Sequence, residues 1–493
     1  MHRIPSPGGS ALAAAPGRLF AALLAGALPP LLAYNLPPSP TLLNQCLSVA
    51  LWGGFVIALT PGGLPLRGRA LFAAIAVMSA AVLWSGMAGA LPSALTLSAL
   101  ALLAGAAALA WAGSDAARRP DAAAIFGCFA AGLAAAGLLS AGVALVQVFA
   151  PDWTDGNVIA HSGLVGRAVG NLRQPNHLCS LLLWGVVGAI GLFELRWLNR
   201  AATAALVVLL VFAVELSASR TGALGLVLLA LWGALDRRLS GTARLLLIAT
   251  PLIWGLSYGA MALYGQWSHQ AIGAEARIAA GEASGIESPN SRPRIWANAL
   301  AMIAQQPGFG VGFGEFNLAW SLTPFPGRPT AFFDHTHTLP LQLAVELGVP
   351  LALLVLGLMA WALWQGWRRS LAAAGDTGIA ARAAWMLVLL TGLHSLSEYP
   401  LWYAYFLLPV AFAWGFALGM PGADPSARQT SRPAWAGRLV GGALVLGGAL
   451  AMVDYMRVVK IYAPGTDAGP LEARIANGQH SVLFAHHADY AAA

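Results

Sequence analysis

The sequence predicts an all-α protein, a polytopic transmembrane helical bundle of about 12–13 spans with one long loop on its outer side. Three observations carry that reading. Of 493 residues, 58% are hydrophobic and 10% are charged, where a soluble domain carries about 25% charged residues. Apolar runs near twenty residues recur along the chain, each long enough to cross a bilayer as a helix. The short alternating segments of a membrane β-barrel are not visible.

The spans fall at 17–36, 40–60, 70–90, 92–113, 122–149, 176–195, 201–218, 221–236, 245–264, 339–366, 383–397, 401–419 and 438–456. The first contains Pro29 and Pro30 and has no small-residue cleavage site, so it reads as a retained span. The chain divides into N-terminal helices (1–264), a long loop (265–338), C-terminal helices (339–456) and a tail (457–493). The loop is rich in Gly and Pro, with a helix-like piece near 293–306. A loop of that length is usually functional or disordered.

Charge sets the orientation. With the N-terminus inside, alternate inner loops hold Arg67 and Arg69, Arg118 and Arg119, Arg196 and Arg200, then Arg237, Arg238 and Arg244. Arg368, Arg369 and Arg382 follow, then Arg428, Arg432 and Arg438. With Arg3 and Arg18 this is well over half of the 27 basic residues, as the positive-inside rule requires. The remainder run against that rule: Arg167, Arg173, Arg220, Arg277, Arg292, Arg294, Arg328, Arg457, Lys460 and Arg474. Something on the outer face therefore uses positive charge. The net charge of +7 reports orientation and does not imply nucleic acid. Cys46, Cys128 and Cys179 lie far apart in apolar segments and read as small buried hydrophobes, not as a disulfide or metal pattern.

Five outer patches carry polar chemistry. In "FFDHTHTLPLQLAVELG", Asp334, His335 and His337 stand at the mouth of a span. An imidazole there serves as acid, base or hydrogen-bond donor near neutral pH. The HxH spacing also admits a metal, with Asp334 or Glu346 as third ligand, or two interfacial histidines anchoring a helix end. In "ELSASRTG", Arg220 stands at a helix start, where free backbone N–H groups favour an anion; the bland alternative is an arginine snorkelling to the interface. In "SPNSRPRIWANALAMIAQQPGFGVGFGEF", Arg292 and Arg294 precede an amphipathic helix and match phosphate oxygens if they are more than solvated loop charge. The glycines that end that stretch read as a turn-rich loop before a phosphate loop. In "RAVGNLRQPNHL" stand Arg167, Arg173, Gln174, Asn176 and His177. In "HSLSEYPLWYAYFLLP", His394 and Glu398 precede Tyr399, Trp402, Tyr403 and Tyr405, aromatics that form an interfacial belt or stack against sugar rings. Cations, imidazoles and aromatics on one side of a membrane point to an anionic, lipid-embedded, glycan-bearing substrate.

These residues resemble a family: the bacterial O-antigen ligases and O-antigen polymerases and, most closely, the pilin- and protein-glycosylating O-oligosaccharyltransferases of the PglL type. The resemblance rests on "SASRTG", on Arg292 four residues before Trp296, and on His337 leading into "LPLQLAVELG". "NLRQPNHL", "HSLSEYPLWYAYFLLP" and "LEARIANGQHSVLFAHHADY" point to the protein-glycosylating branch. It covers most of residues 150–493. Thr338 after His337 departs from the ligases, which often carry Asn, Ser or Gln there. The branch usually continues into a soluble periplasmic region where this chain reaches "HHADYAAA", so a short or truncated tail is expected.

The resemblance implies a multi-pass protein of the bacterial inner membrane with its active site facing the periplasm. It implies en bloc transfer of a glycan from undecaprenyl diphosphate to an acceptor hydroxyl on a protein such as pilin. Arg220 and Arg292 would hold the diphosphate, with Arg294 in a lesser share of that role. His337 would orient or deprotonate the acceptor, and His335 and Asp334 would position His337 or bind glycan. Arg167, Arg173, Gln174, Asn176, His394, Glu398 and Tyr399 would contact substrate. Inversion at the anomeric carbon, and no metal, nucleotide or other cofactor, are expected. Ligation to lipid A core, chain-extending polymerisation and, from another class, transport of a lipid-linked glycan are the alternatives.

Overall fold

The computed structural model describes residues 16–62, 67–88, 91–284, 292–325, 333–420, 435–466 and 468–493. Arg3, Arg328, Arg428 and Arg432 lie outside the described residues. The described chain is helical, without strands. The helices are α1 Pro16–Leu31, α2 Leu42–Leu59, α3 Arg69–Met87, α4 Ser93–Ala116, α5 Ala122–Phe149, α6 Pro175–Glu194 and α7 Arg200–Ser217. Next come α8 Arg220–Leu235, α9 Gly241–Ile248, α10 Thr250–Ser268, α11 Ala274–Ser284, α12 Arg292–Gln305 and α13 Phe316–Leu322. The rest are α14 Leu339–Leu347, α15 Val349–Ala372, α16 Gly375–Ser395, α17 Ala404–Gly419, α18 Trp435–Tyr462, α19 Leu471–Gln479 and α20 Ala485–Ala492.

Among the described residues, nine helices are long and apolar enough to cross a membrane. A tenth span forms if α9 and α10, bent by 42° at their junction, act together. Three expected spans, α1, α8 and α17, have 16 residues each. At 1.5 Å per residue they reach about 24 Å, short of a hydrocarbon core near 30 Å. Every apolar run is thus a helix, but not every one is a full span.

In lipid the helices gain little from hiding apolar surface from one another, so close backbone approach and dispersion hold them together. At the crossing of α4 and α17, a Cβ on Gly415 would fall 1.9 Å from the Ala110 carbonyl oxygen. A Cβ on Gly113 would fall 2.1 Å from that of Phe412. Beside this crossing the rings of Phe129 and Phe412 meet at 4.9 Å and those of Phe55 and Phe412 at 5.4 Å.

Two boundaries differ from expectation. The apolar run 339–366 is broken at Gly348, which has φ +76° and separates the nine-residue α14 from α15. The loop "QQPGFGVGFG" docks on the break: Val311 N donates to Val345 O (2.9 Å), Gly312 N to Glu346 O (3.0 Å) and Val349 N to Pro307 O (2.8 Å). The first two satisfy carbonyls that the end of α14 leaves free, and the third satisfies a free N–H at the start of α15. The contact requires glycine, since a Cβ on Gly348 would lie 2.4 Å from the Gly308 oxygen. The second boundary is the tail. Helix α18 continues through Arg457 and Lys460 to Tyr462, and α19 and α20 fold back on it. Asp454 accepts from Ser481 Oγ (2.7 Å) and Leu483 N (2.9 Å). Arg474 donates to the Lys460 and Ile461 carbonyls (3.0 Å each), completing the C-terminal end of α18.

Candidate active site

Glu398 is the hub. It lies just beyond α16, in the turn before the Pro400–Trp402 3-10 helix, and its side chain is nearly buried. One carboxylate oxygen, Oε2, pairs with His337 Nδ1 at 2.7 Å. The other, Oε1, receives the Arg292 guanidinium and Asn176 Nδ2, the latter at 3.0 Å. Burial alone would push this carboxyl up. The hydrogen bond and charge of His337, then the charges of Arg292 and His394, outweigh burial and hold it below the usual carboxylate range. An ionised carboxylate only accepts, so His337 donates to it from Nδ1, and Nε2 is the ring nitrogen left for another partner.

His337 is held in an uncommon backbone state, φ +59°. Such a conformation persists where the surroundings over-determine it. Here the "LPLQLAVELG" run supplies them. Gln342 and Glu346, one turn apart on α14, bond at 2.8 Å, and Gln342 Oε1 accepts from Thr336 N at 2.7 Å. Trp296 Nε1 on α12 donates to Thr336 O at 3.0 Å. Thr336 Oγ1 donates to Thr338 O at 2.9 Å, so the residues on both sides of His337 are pinned. The four-residue spacing of Arg292 and Trp296 sets one side chain on Glu398 and the other beneath the histidine segment.

His335 meets His337 through Tyr399, with no hydrogen bond between the two histidines among the described residues. It stacks on Tyr399 with centroids 4.0 Å apart, and its Nδ1 is buried without a hydrogen bond. Burial, and to a lesser degree the charge of His337, push its imidazole down to about 3. Asp334 is exposed near Tyr399. The aromatics run inward rather than forming a belt: Tyr399, Tyr403 and Tyr405 stack at 5.9 and 5.3 Å, and Tyr403 meets His177 at 4.7 Å. His394 is buried one turn below Glu398, and its Nδ1 meets Ser180 Oγ at 2.8 Å. Among the described residues no three His, Cys, Asp or Glu side chains are grouped to hold a metal ion.

The "SASRTG" turn forms the second wall. Ala218 takes φ +52° between α7 and α8. Ser219 caps α8 by accepting from Gly222 N (3.1 Å), and donates to Asn176 Oδ1 (2.6 Å). Asn176 therefore ties this turn to Glu398. Thr221 Oγ1 and Ser397 Oγ, 2.9 Å apart, make a parallel tie. Arg220 opens α8 with its side chain exposed. Arg167 donates to Ser217 O (3.0 Å). Arg277 on α11, absent from the sequence-derived candidates, donates to Ala218 O (3.3 Å). Its only sequence signal was a basic residue on the outer side.

Three candidates stand apart. Arg173 turns back at φ +57° and gives its guanidinium to the Ala33, Gly156 and Asn171 carbonyls, so it braces the loop instead of facing the cluster. Gln174 caps α6 by accepting from His177 N (2.7 Å). Arg294 is exposed at the start of α12, pointing to no carboxylate among the described residues.

The chain has relatives among known proteins. Residues 205–356 match the O-antigen ligase family, residues 382–493 the C-terminal region of the virulence factor membrane-bound polymerases, and residues 168–193 the protein glycosylation ligases. A general O-oligosaccharyltransferase of Acinetobacter baylyi is 27% identical over 255 residues, 50% of this chain and 43% of that protein. A ComP-specific O-oligosaccharyltransferase of the same organism is 26% identical over 254 residues, 51% of this chain and 44% of that one. The matched stretch thus spans less than half the length of these relatives. The resemblance read from the motifs holds: the chain is similar to the O-antigen ligase superfamily and, within it, to the protein-glycosylating members.

Proposed function

We propose that the chain is an O-linked oligosaccharyltransferase of the bacterial inner membrane, working on the periplasmic face. It would move a glycan en bloc from undecaprenyl diphosphate to a Ser or Thr hydroxyl of a periplasmic protein such as pilin. The observation that carries this reading is Glu398, which joins His337 to Arg292 and, through Asn176, to the "SASRTG" turn that carries Arg220. One carboxylate sets a base and an anion-binding group side by side.

The chemistry follows from that placement. His337 Nε2 takes the proton of the acceptor hydroxyl as its oxygen attacks the anomeric carbon. The bond from that carbon to the diphosphate oxygen breaks on the opposite face, inverting the configuration. Its electron pair stays on the diphosphate, where Arg292 and Arg220 stabilise the growing charge. Glu398 stabilises the imidazolium formed in the step. Removing one such guanidinium costs about 2–4 kcal/mol of transition-state stabilisation.

A second reading, ligation to lipid A core, is favoured by the O-antigen ligase match over residues 205–356, which contains the "SASRTG" turn and His337. The deciding experiment gives purified protein an undecaprenyl diphosphate-linked glycan with pilin or with lipid A core, each with and without EDTA. Glycosylated pilin, undiminished by EDTA and absent with His337→Ala, is the expected result. Product on lipid A core alone transfers the assignment to a ligase. Longer lipid-linked chains mean a polymerase, and no product reopens transport.

A further inference from the structure

The cluster holds more positive charge than one phosphate needs, and its arginines are mounted differently. Arg292 is neutralised by Glu398. Arg167, Arg220 and Arg277 form no ion pair among the described residues. Arg167 and Arg277 instead use consecutive carbonyls, Ser217 and Ala218, at the C-terminal end of α7, whose partial negative charge gathers cations. Arg220 begins the next helix two residues on.

This assembly is built, not incidental. Gly273 N donates to Gly166 O (2.8 Å), fastening the loop of Arg167 to the start of α11. The buried Glu215 accepts from Ala274 N at 3.1 Å, fixing the end of α11 that carries Arg277. Gly273 has φ +60°, and a Cβ there would meet the Glu215 carboxylate at 2.3 Å, so glycine is what lets that carboxylate reach the helix. Partial burial, and then the charges of Arg220, Arg167 and Arg292, hold the Arg277 guanidinium down to about 10. Like charges gathered this closely call for a counter-anion.

Resting on the lipid-diphosphate reading above, we infer that Arg167, Arg220 and Arg277 form a phosphate subsite of their own, distinct from Arg292, so that the site selects a diphosphate over a monophosphate. Four guanidiniums stand against the carboxylate of Glu398 and, behind α11, that of Glu215, so positive charge is in excess. Each phosphate of a lipid diphosphate-linked glycan carries one negative charge. When the bond to the sugar breaks, the electron pair left on oxygen adds another. The charge that grows on the leaving diphosphate therefore meets this excess, and Arg277 contributes to it.

The test is direct binding to the full chain in detergent, by calorimetry, with farnesyl diphosphate and farnesyl monophosphate as probes. The wild type should bind the diphosphate at least about tenfold more tightly, each added charged hydrogen bond contributing roughly tenfold or more. Arg277→Gln should lose that preference by weakening diphosphate binding while leaving monophosphate binding nearly unchanged. Arg277→Lys, which keeps the charge and folds under the same constraints, should fall between. Equal loss on both probes would reduce Arg277 to general attraction, and unchanged preference in Arg277→Gln would remove it from the site; either overturns the inference alone. A wild type that binds neither probe overturns the lipid-diphosphate reading with it.

Discussion

Glu398 serves three partners at once, and its loss has a different signature from that of an ordinary binding residue. Glu398→Gln keeps the shape but removes the charge that faces Arg292 and the acceptor that fixes the His337 tautomer. Transfer should fall about 100-fold or more, in the range of general-base catalysis, with the protein still inserted and folded. Because the Glu398 carboxyl is held low, the bridge it makes is intact above the usual carboxylate range and is lost as pH falls through its lowered value. His335 has its own pH signature. Its folded-state value near 3 lies below the ordinary 6.5, so its stabilising effect is complete above about 6.5 and declines as pH falls toward 3. Thermal unfolding in detergent between pH 7 and 4 should show a shallower loss for His335→Asn than for the wild type. His337, Arg220 and Arg292 were legible as candidates because imidazoles and guanidiniums are rare at span ends. Their meeting was not legible: Glu398 lies 61 residues from His337 and 106 from Arg292, and local pattern carries no such distance. Arg173 and Gln174 had the right chemistry in the right stretch, yet loop carbonyls and a helix cap claim them.

Among the elements, the α14–α15 break does the most to place His337. Hydropathy runs unbroken through "LPLQLAVELGVPLALLVLG", so a single span is the natural expectation. The signal of the break is Gly348 with Pro350 two residues on, and it means little until the "GFGVG" loop is seen to dock there. Gly348→Ala should cost about 1–3 kcal/mol, since its φ is positive and its Cβ would strike the Gly308 oxygen. Gly357→Ala on α15, where a Cβ meets nothing within 4 Å, should be neutral or slightly stabilising. Paired thermal-shift and transfer assays on the two variants separate the break from a generic effect of helix glycines. Elsewhere, inner-loop arginines are consumed by structure: Arg18 meets Asp121 at 2.5 Å and Arg382 meets Asp236 at 2.6 Å. Charge that positions a chain in the membrane also ties its helices there.

Across the whole molecule, the two sets of arginines define an orientation that can be read chemically. The native Cys46, Cys128 and Cys179 are all buried, so an introduced thiol reports alone. Gly163 and Gly241 are exposed, with room for a side chain. Gly163→Cys should react with a membrane-impermeant maleimide added from the periplasm, and Gly241→Cys only after the inner membrane is opened. The reverse pattern would invert the topology and remove the periplasmic assignment. The number of apolar helices was open to sequence reading because lipid demands continuous hydropathy. Which of them fall short of a full span was not, because that depends on where Pro and polar turns end each helix in three dimensions.

The arginines around Ala218 have one more consequence. A protein that gathers unbalanced like charges is held in shape partly by whatever neutralises them. By mass action, a ligand present at 100 times its Kd adds about 2.7 kcal/mol to the stability of the state that binds it. On the proposed function the lipid diphosphate would act as a chaperone as well as a substrate, and a cell starved of it should degrade this protein faster than a well-supplied one.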